Sequence, residues 1–354
     1  MKPLDSSRRQ FTDALRWRWQ RQLLRVEAAA ARAESRSLGF SEAPPKDQHP
    51  WLPDPAAVAL PTAAPGIGLP ASEGSTIAAT VCTLDHLHFA LTLATSLRRH
   101  HPEVTLHLLV VDGDGEDLPE VAGCRWLRGS EVGLFEDPYL ALKLSAADFC
   151  CAAKPFLLAH LAATARASSI VYLDADLYLF APLTRLLEQA QRSDFVVLPH
   201  AFAPMPHPEI GWERPTLGQL AWAGVFNAGL FAFRVTEKTW RFLATWRDLV
   251  SEPGAFLTTR GAQSEQNSFN WVIAFTDDVH VLRDSAYNVA YWNLHERALR
   301  WSATAPGGPV FTVDGSPLVA FHFSGYLPDR PLELSVGNHR HPVHCDRSLG
   351  RLLT

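Results

Sequence analysis

Two carboxylates stand one residue apart in Ile170-Val171-Tyr172-Leu173-Asp174-Ala175-Asp176-Leu177, where a short apolar run gives out. The apolar and β-branched positions leading into Asp174 predict a buried strand. Acids just beyond such a strand belong at the carboxyl rim of a sheet, where open α/β folds receive ligands. Acids at i and i+2 can share one divalent ion if the chain turns there, and Mn2+ or Mg2+ prefers such oxygen donors. An ion held in this way neutralises a departing diphosphate. The plainer alternative makes Asp174 the cap of a following helix and Asp176 a solvated acid.

Other residues of chemical interest carry paired readings. Asn227 and Gly229 form either a bulge in a buried strand or a close approach to a ligand, with Asn227 bonding a hydroxyl and Gly229 leaving room for a ring. Glu265 and Gln266 open an apparent helix, where the dipole favours an acid whatever the function. His322, between two phenylalanines, is either a satisfied core residue or a neutral imidazole ligand. Lys154 balances phosphate charge or ends on the surface, and Pro155 suits the first turn of a helix. Thr83 and Asp85 follow one predicted strand and Asp112 closes the next, where such folds receive a base and ribose; Thr83 and Asp85 are also good helix caps. The stretch from Ala286 to Arg297 is dense in Tyr, Trp, Asn and His. Either Trp292, Asn293 and His295 line a cleft for sugars, or the stretch is a packed aromatic cluster with Asn and Glu satisfying a turn.

Four segments in order resemble the GT-A fold nucleotide-sugar glycosyltransferases, specifically the glycogenin-like and bacterial lipopolysaccharide glycosyltransferase group. They are Lys154-Pro155 ahead of the Asp174/Asp176 strand, Phe226-Asn227-Ala228-Gly229-Leu230-Phe231, Ser264-Glu265-Gln266-Asn267 and Phe321-His322-Phe323-Ser324-Gly325. The run Tyr291-Trp292-Asn293-Leu294-His295-Glu296-Arg297 is also similar to stretches in bacterial glycosyltransferases. The resemblance covers residues 75 to 330 and implies a metal site of Asp174, Asp176 and His322 holding Mn2+ or Mg2+. It implies donor contacts from Thr83, Asp85, Asp112, Lys154, Asn227, Ala228, Gly229, Trp292, Asn293 and Gly325, with Glu265 and Gln266 at the reaction centre. The expected activity moves a sugar from a nucleoside-diphosphate sugar to a glycan, lipid-linked or protein acceptor, with retention of configuration. Two departures leave the donor open: Pro328 stands where the family has lysine, with Arg330-Pro331 just after, and Glu265 replaces an aspartate.

The elements that must position these residues follow from patterning. Thr76–Cys82 reads as a strand, Leu84–His100 as a helix and Val104–Val111 as a second strand. Phe156–Ala165 reads as a helix feeding the Asp-x-Asp strand, and Phe195–Leu198 as a further strand. Val225–Phe233, helices Thr236–Val250 and Gln263–Phe275, and strands Val279–Leu282 and Leu318–Phe323 complete the body. Continuous apolar strands alternating with helices predict a GT-A (Rossmann-like) α/β fold: a mainly parallel mixed sheet with helices on both faces. It occupies residues 74–336, ahead of a tail at 337–354 that carries His339, His341, His344 and Cys345. Before it, residues 1–40 predict a basic amphipathic helix with Phe11, Leu15, Trp19, Leu23 and Val26 on one side, and 41–73 a Pro/Ala-rich linker. Two readings stay open for that helix: docking on protein, or lying on an anionic membrane surface with Trp17 and Trp19 at the headgroups.

A chain of 354 residues that is 47% hydrophobic and 19% charged supports one catalytic domain with extensions. Its net charge of −5 offers no field for nucleic acid. Five cysteines without a C-x-x-C pair read as reduced, mostly packed thiols. No stretch approaches the roughly 20 apolar residues of a membrane span, and the amino terminus lacks a secretion signal's apolar block, so a cytoplasmic location is expected, peripheral on the inner membrane face if the helix binds lipid. Two alternatives of other classes are phosphoryl transfer of the haloacid-dehalogenase type, with the first acid, Asp174, as nucleophile, and a non-catalytic sugar-binding protein. Tyr178 stands where dehalogenase-type enzymes want Thr or Val, which counts against the first.

Overall fold

The computed structural model describes residues 69, 74–136, 140, 144–206, 215–251, 264–304, 309–338, 340–341, 343 and 346–353. They belong to a unit spanning Gly66–Thr354. The expected basic helix at 1–40 lies outside the described residues, as does the 41–73 linker apart from residue 69.

In chain order the body begins β1 (Ser75–Cys82), α1 (Leu87–His100), β2 (Leu106–Val110) and β3 (Cys124–Arg128). Then come α2 (Ala146–Thr164), β4 (Ala167–Leu173), β5 (Leu177–Leu179), α3 (Thr184–Ala190) and β6 (Phe195–Pro199). Next are α4 (Leu217–Ala223), β7 (Phe226–Arg234), α5 (Glu237–Ser251), α6 (Ser264–Phe269), α7 (Val272–Phe275) and β8 (Val279–Val281). The chain closes with β9 (Leu299–Ser302), β10 (Val310–Val313), β11 (Ser316–Pro317), β12 (Ala320–His322) and α8 (Arg347–Leu352). Seven strands form one sheet in the order β3-β2-β1-β4-β7-β6-β8. All neighbours run parallel except at β7, which is antiparallel to β4 and β6. The mainly parallel mixed α/β sheet expected from the sequence is therefore present. Its central strands are apolar on both faces because helices cover both: Ile170, Tyr172, Phe231 and Phe233 face one core cluster, while Val171, Leu173, Leu230 and Ala232 face another.

Three local features place the site. First, the reversal of β7 brings its start to the rim where β4 ends: Leu173 pairs with Leu230, and Asp174 N–H donates to Gly229 C=O at 2.7 Å. Second, β5 and β12 pair antiparallel beside the large sheet, with Leu177 opposite His322. Third, the fully buried Trp246 of α5 donates its indole N–H to Glu265 C=O and Ser268 Oγ, both at 3.0 Å, fixing the start of α6.

Several boundaries differ from expectation. The helix before β4 begins at Ala146, where Ser145 accepts from Asp148 N–H at 3.2 Å, so Pro155 lies in its interior rather than in its first turn. The missing Pro155 N–H leaves Cys151 C=O without its usual helical donor. This helix is also long and apolar enough to cross a membrane by composition, correcting the reading that no stretch qualifies. Here its residues from Phe149 to Ala162 pack into the main core. The single helix expected over 263–275 is two short ones, α6 and α7. Residues 346–353 are ordered as α8 and its flanks, with Asp346 capping the helix and Leu349 buried.

Candidate active site

At the carboxyl rim of β1 and β4 opens a cavity of about 580 Å3, a size suited to a ligand of nucleotide-sugar dimensions. Asp174, Asp176 and His322 meet on its wall, and their ligating atoms all lie within 4.8 Å of one another. His322 Nε2 is 3.0 Å from Asp176 Oδ1 and 3.7 Å from Asp174 Oδ2. The opposite ring atom, Nδ1, lies 3.1 Å from Asn288 Oδ1. With that nitrogen donating to Asn288, the Nε2 lone pair faces the two acids.

This donor set fits a hard divalent ion: two carboxylates and one imidazole converge, with room left for other ligands. Burial alone would lower the His322 pKa, yet the Asp176 carboxylate more than reverses it and holds the imidazole above its ordinary value. The cluster thus attracts positive charge. Gly229 leaves the space the group needs, since a Cβ there would sit 2.3 Å from Asp174 Oδ2 and 2.6 Å from His322 Cε1.

Behind the acids lies a buried relay. Lys154, on the cavity face of α2, places Nζ 3.1 Å from Asp174 Oδ1 and 3.1 Å from Glu265 Oε1. Burial pulls the ammonium's pKa down, but Asp174 and then Glu265 outweigh it, so Lys154 stays charged. The Tyr172 hydroxyl donates to Asp174 Oδ1 at 3.0 Å; burial, then Asp174, holds its pKa far above the usual phenol range. Asp174 is therefore fixed from two sides before any ligand arrives.

The expected site residues divide into three groups. Thr83, Asp85, Lys154, Asn227, Glu265, Gln266 and Trp292 line the cavity together with the Asp-Asp-His cluster. Thr83 Oγ1 donates to Asp85, whose carboxyl this bond and then His86 hold below its ordinary value. Asn227 accepts Gly229 N–H at 3.0 Å and lies 3.1 Å from His200 Nε2. Gln266 donates to Phe226 C=O and accepts Ala228 N–H at 3.0 Å, so its amide bridges two backbone groups at the start of β7. Ala228 and Gly229 form a second group, buried and outside the cavity lining, where they shape the site through backbone and space.

The third group is displaced. Asp112 is exposed and accepts Leu84 N–H at 2.8 Å, bracing the Thr83 turn from outside. Asn293 is fully buried, accepting Ala290 N–H at 2.9 Å and donating to His200 C=O and Asn288 C=O, which corrects its cleft-lining reading. His295 lies outside this cavity as well. Gly325 makes a left-handed turn at φ +71°, and its carbonyl accepts Val336 N–H at 2.9 Å; it steers the 335–337 segment, where Gly337 lines the cavity.

Asn288, Tyr172, His200, Cys150 and Cys151 were not singled out from the sequence. Asn288 adopts φ +53°, a conformation that asparagine tolerates better than most residues, and is completely buried. The only sequence signal was the general Asn and aromatic density of its stretch. The described cysteines, Cys82, Cys124, Cys150 and Cys151, are free thiols, and burial pushes Cys150 up to about 12. They pack and do not act as nucleophiles at neutral pH.

Two predictions arise from this shell. Asn288→Gly keeps the backbone relaxed but removes the acceptor of His322; Mn2+ affinity by titration calorimetry should fall about 10- to 100-fold. Unchanged affinity would mean that packing alone orients the imidazole. His200 is the second case: burial pushes its pKa down to about 4, against 6.5 ordinarily. Between those values the unfolded chain binds the extra proton, so stability rises with pH across the window and is lost as pH falls towards 4. The contribution is on the order of 3 kcal/mol at neutral pH. Urea unfolding at pH 4.5 and 7 should show a smaller pH difference in His200→Gln than in the parent chain.

No protein-family model matches the chain. It is 24% identical over 253 residues to the uncharacterized protein YfnF of Bacillus subtilis strain 168, spanning 70% of this chain and 80% of that one. Its fold is similar to that of the galactosyltransferase LgtC, solved in complex with donor and acceptor sugar analogs: 14% identity, TM-score 0.46, 78% of this chain and 95% of that one. The glycosyltransferase GlyE of Streptococcus pneumoniae TIGR4 is 17% identical with TM-score 0.41, over 79% of this chain and 62% of that one. At these values the likeness describes shape alone.

Proposed function

We propose that the chain is a metal-dependent glycosyltransferase that takes a sugar from a nucleoside-diphosphate donor. The observation that carries this reading is the convergence of Asp174, Asp176 and His322 on the wall of a nucleotide-sugar-sized cavity at the sheet rim. Asp174, Asp176 and His322 would hold the ion, Mn2+ or Mg2+. When bound, it supplies positive charge to the departing diphosphate. Lys154 keeps Asp174 oriented, Glu265 and Gln266 wall the sugar side, and Thr83 and Asp85 face the nucleoside. Retention of configuration is part of the proposal: an inverting enzyme needs a free carboxylate base beside the acceptor hydroxyl. The acceptor is a glycan, a lipid-linked sugar or a protein, and the location cytoplasmic.

The test is release of nucleoside diphosphate from a panel of sugar nucleotides with Mn2+. Asp176→Asn should slow it by about 10^2- to 10^3-fold. Release from none of the donors, or an undiminished rate in the variant, defeats the assignment; phosphate release from simple phosphate esters would favour phosphoryl transfer instead.

A further inference from the structure

A second cavity, of about 290 Å3, shares no residue with the first. His295, Arg297, Arg300 and His341 line it, with Asp346 as its acid. Two of these basic groups are deeply buried and incompletely paired. The His295 side chain is 7% exposed and that of Arg297 1%. His295 Nδ1 has no hydrogen-bond partner, and Arg297 Nε has only a long ion pair, 3.7 Å from Glu296 Oε1. A buried polar atom without a partner is costly, and such atoms in native proteins commonly mark a missing ligand or water. The carboxylates nearby are already committed. Asp346 accepts Ser348 N–H at 2.7 Å and Leu349 N–H at 3.2 Å; Glu296 binds the backbone N–H groups of Phe202 and Ala203 and reaches Arg297 Nε and His295 Nε2 only at 3.7 and 4.0 Å.

The surrounding charge points the same way. Although the whole chain is at −5, residues 294–301 and 340–351 carry five arginines against Glu296 and Asp346. Two of the five, Arg347 and Arg351, lie over the Trp301 ring at 5.6 and 4.9 Å, beside β9 and α8. We infer that the cavity bounded by His295, Arg297, Arg300 and His341 is a binding site for a phosphate-type oxyanion, separate from the proposed catalytic centre. Tetrahedral oxyanions offer several acceptors at once, which suits guanidinium and imidazole donors converging from two chain segments. The segment from Ser285 to Arg297 runs from this cavity to Asn288 and Trp292, so an anion here would brace the shell that orients His322.

The test uses the full chain with inorganic phosphate at constant ionic strength, followed by thermal unfolding and calorimetry in EDTA. A saturable rise in the unfolding midpoint is expected, retained in Asp174→Asn and weakened roughly tenfold in affinity in Arg300→Gln. Arg300 is exposed, so that substitution leaves folding intact; His341→Asn serves as the second variant. No saturable binding, or equal binding in the parent and both variants, overturns the inference. A vesicle arm identifies the source of the phosphate group. If sedimentation with phosphatidylglycerol vesicles is reduced by Arg300→Gln and competed by free phosphate, the oxyanion is a lipid headgroup; if vesicle binding is insensitive to both while phosphate binding holds, it is a free phosphate.

Discussion

Gly229→Ala should abolish metal-dependent turnover while leaving a folded protein. The added Cβ would stand 2.3 Å from Asp174 Oδ2, 2.6 Å from His322 Cε1 and 2.8 Å from Asn227 Oδ1. All three side chains belong to the site, and none can retreat freely: Asp174 is tied to Lys154 and Tyr172, His322 to Asn288, and Asn227 to His200. The methyl group therefore pushes ligand atoms apart, and Mn2+ affinity should drop by at least about 100-fold, with overpacking costing about 1–3 kcal/mol of stability. Gly315→Ala provides the contrast. That residue sits at φ +84° with nothing within 4 Å of an added Cβ, so its replacement strains the backbone and leaves metal affinity unchanged. Calorimetric titration of both variants decides the matter; wild-type affinity in Gly229→Ala would show that the ligands move independently.

Lys154→Ala is expected to be the most destabilising single change at the site. It strands Glu265, which is 3% exposed and whose other carboxylate oxygen already has no partner. Removing one member of a buried ion pair costs about 3–5 kcal/mol, largely because the remaining charge has lost its compensation. Lys154→Met combined with Glu265→Leu removes both charges and should recover most of that loss in urea unfolding. Turnover should not recover, because the same ammonium holds Asp174. A loss below about 1 kcal/mol in Lys154→Ala would mean that water reaches Glu265 and the relay is not dry.

The central sheet was legible because its strands are buried on both faces and read as unbroken apolar runs, as in Ile170–Leu173 and Leu230–Phe233. Asp174 was legible because it ends such a run, whereas Asp176 and His322 were legible through the Asp-x-Asp and Phe-His-Phe-Ser-Gly segments that carry the family resemblance. Short strands at the periphery escaped notice. β5, with three residues, and β9 to β11, only partly buried, carry too little patterning to stand out. The start of α2 was misplaced because Pro155 reads as a helix opener, while packing tolerates it ten residues into the element. Asn293 and Asp112 lie outside the cavity lining for a related reason: residue types that recognise sugars also satisfy loops and turns, and only tertiary placement separates the two. Asn288 lay within the distinctive stretch, yet its grip on His322 depends on a chain separation that no local pattern encodes.

His322 enters the cluster only because β12 lies against β5, and this small two-stranded ribbon forms after every strand of the large sheet has been made. A fragment ending ahead of residue 318 would still contain all seven strands of that sheet but would hold just two of the three ligands. On the proposed metal site, cation affinity would therefore report whether the chain has been completed through β12.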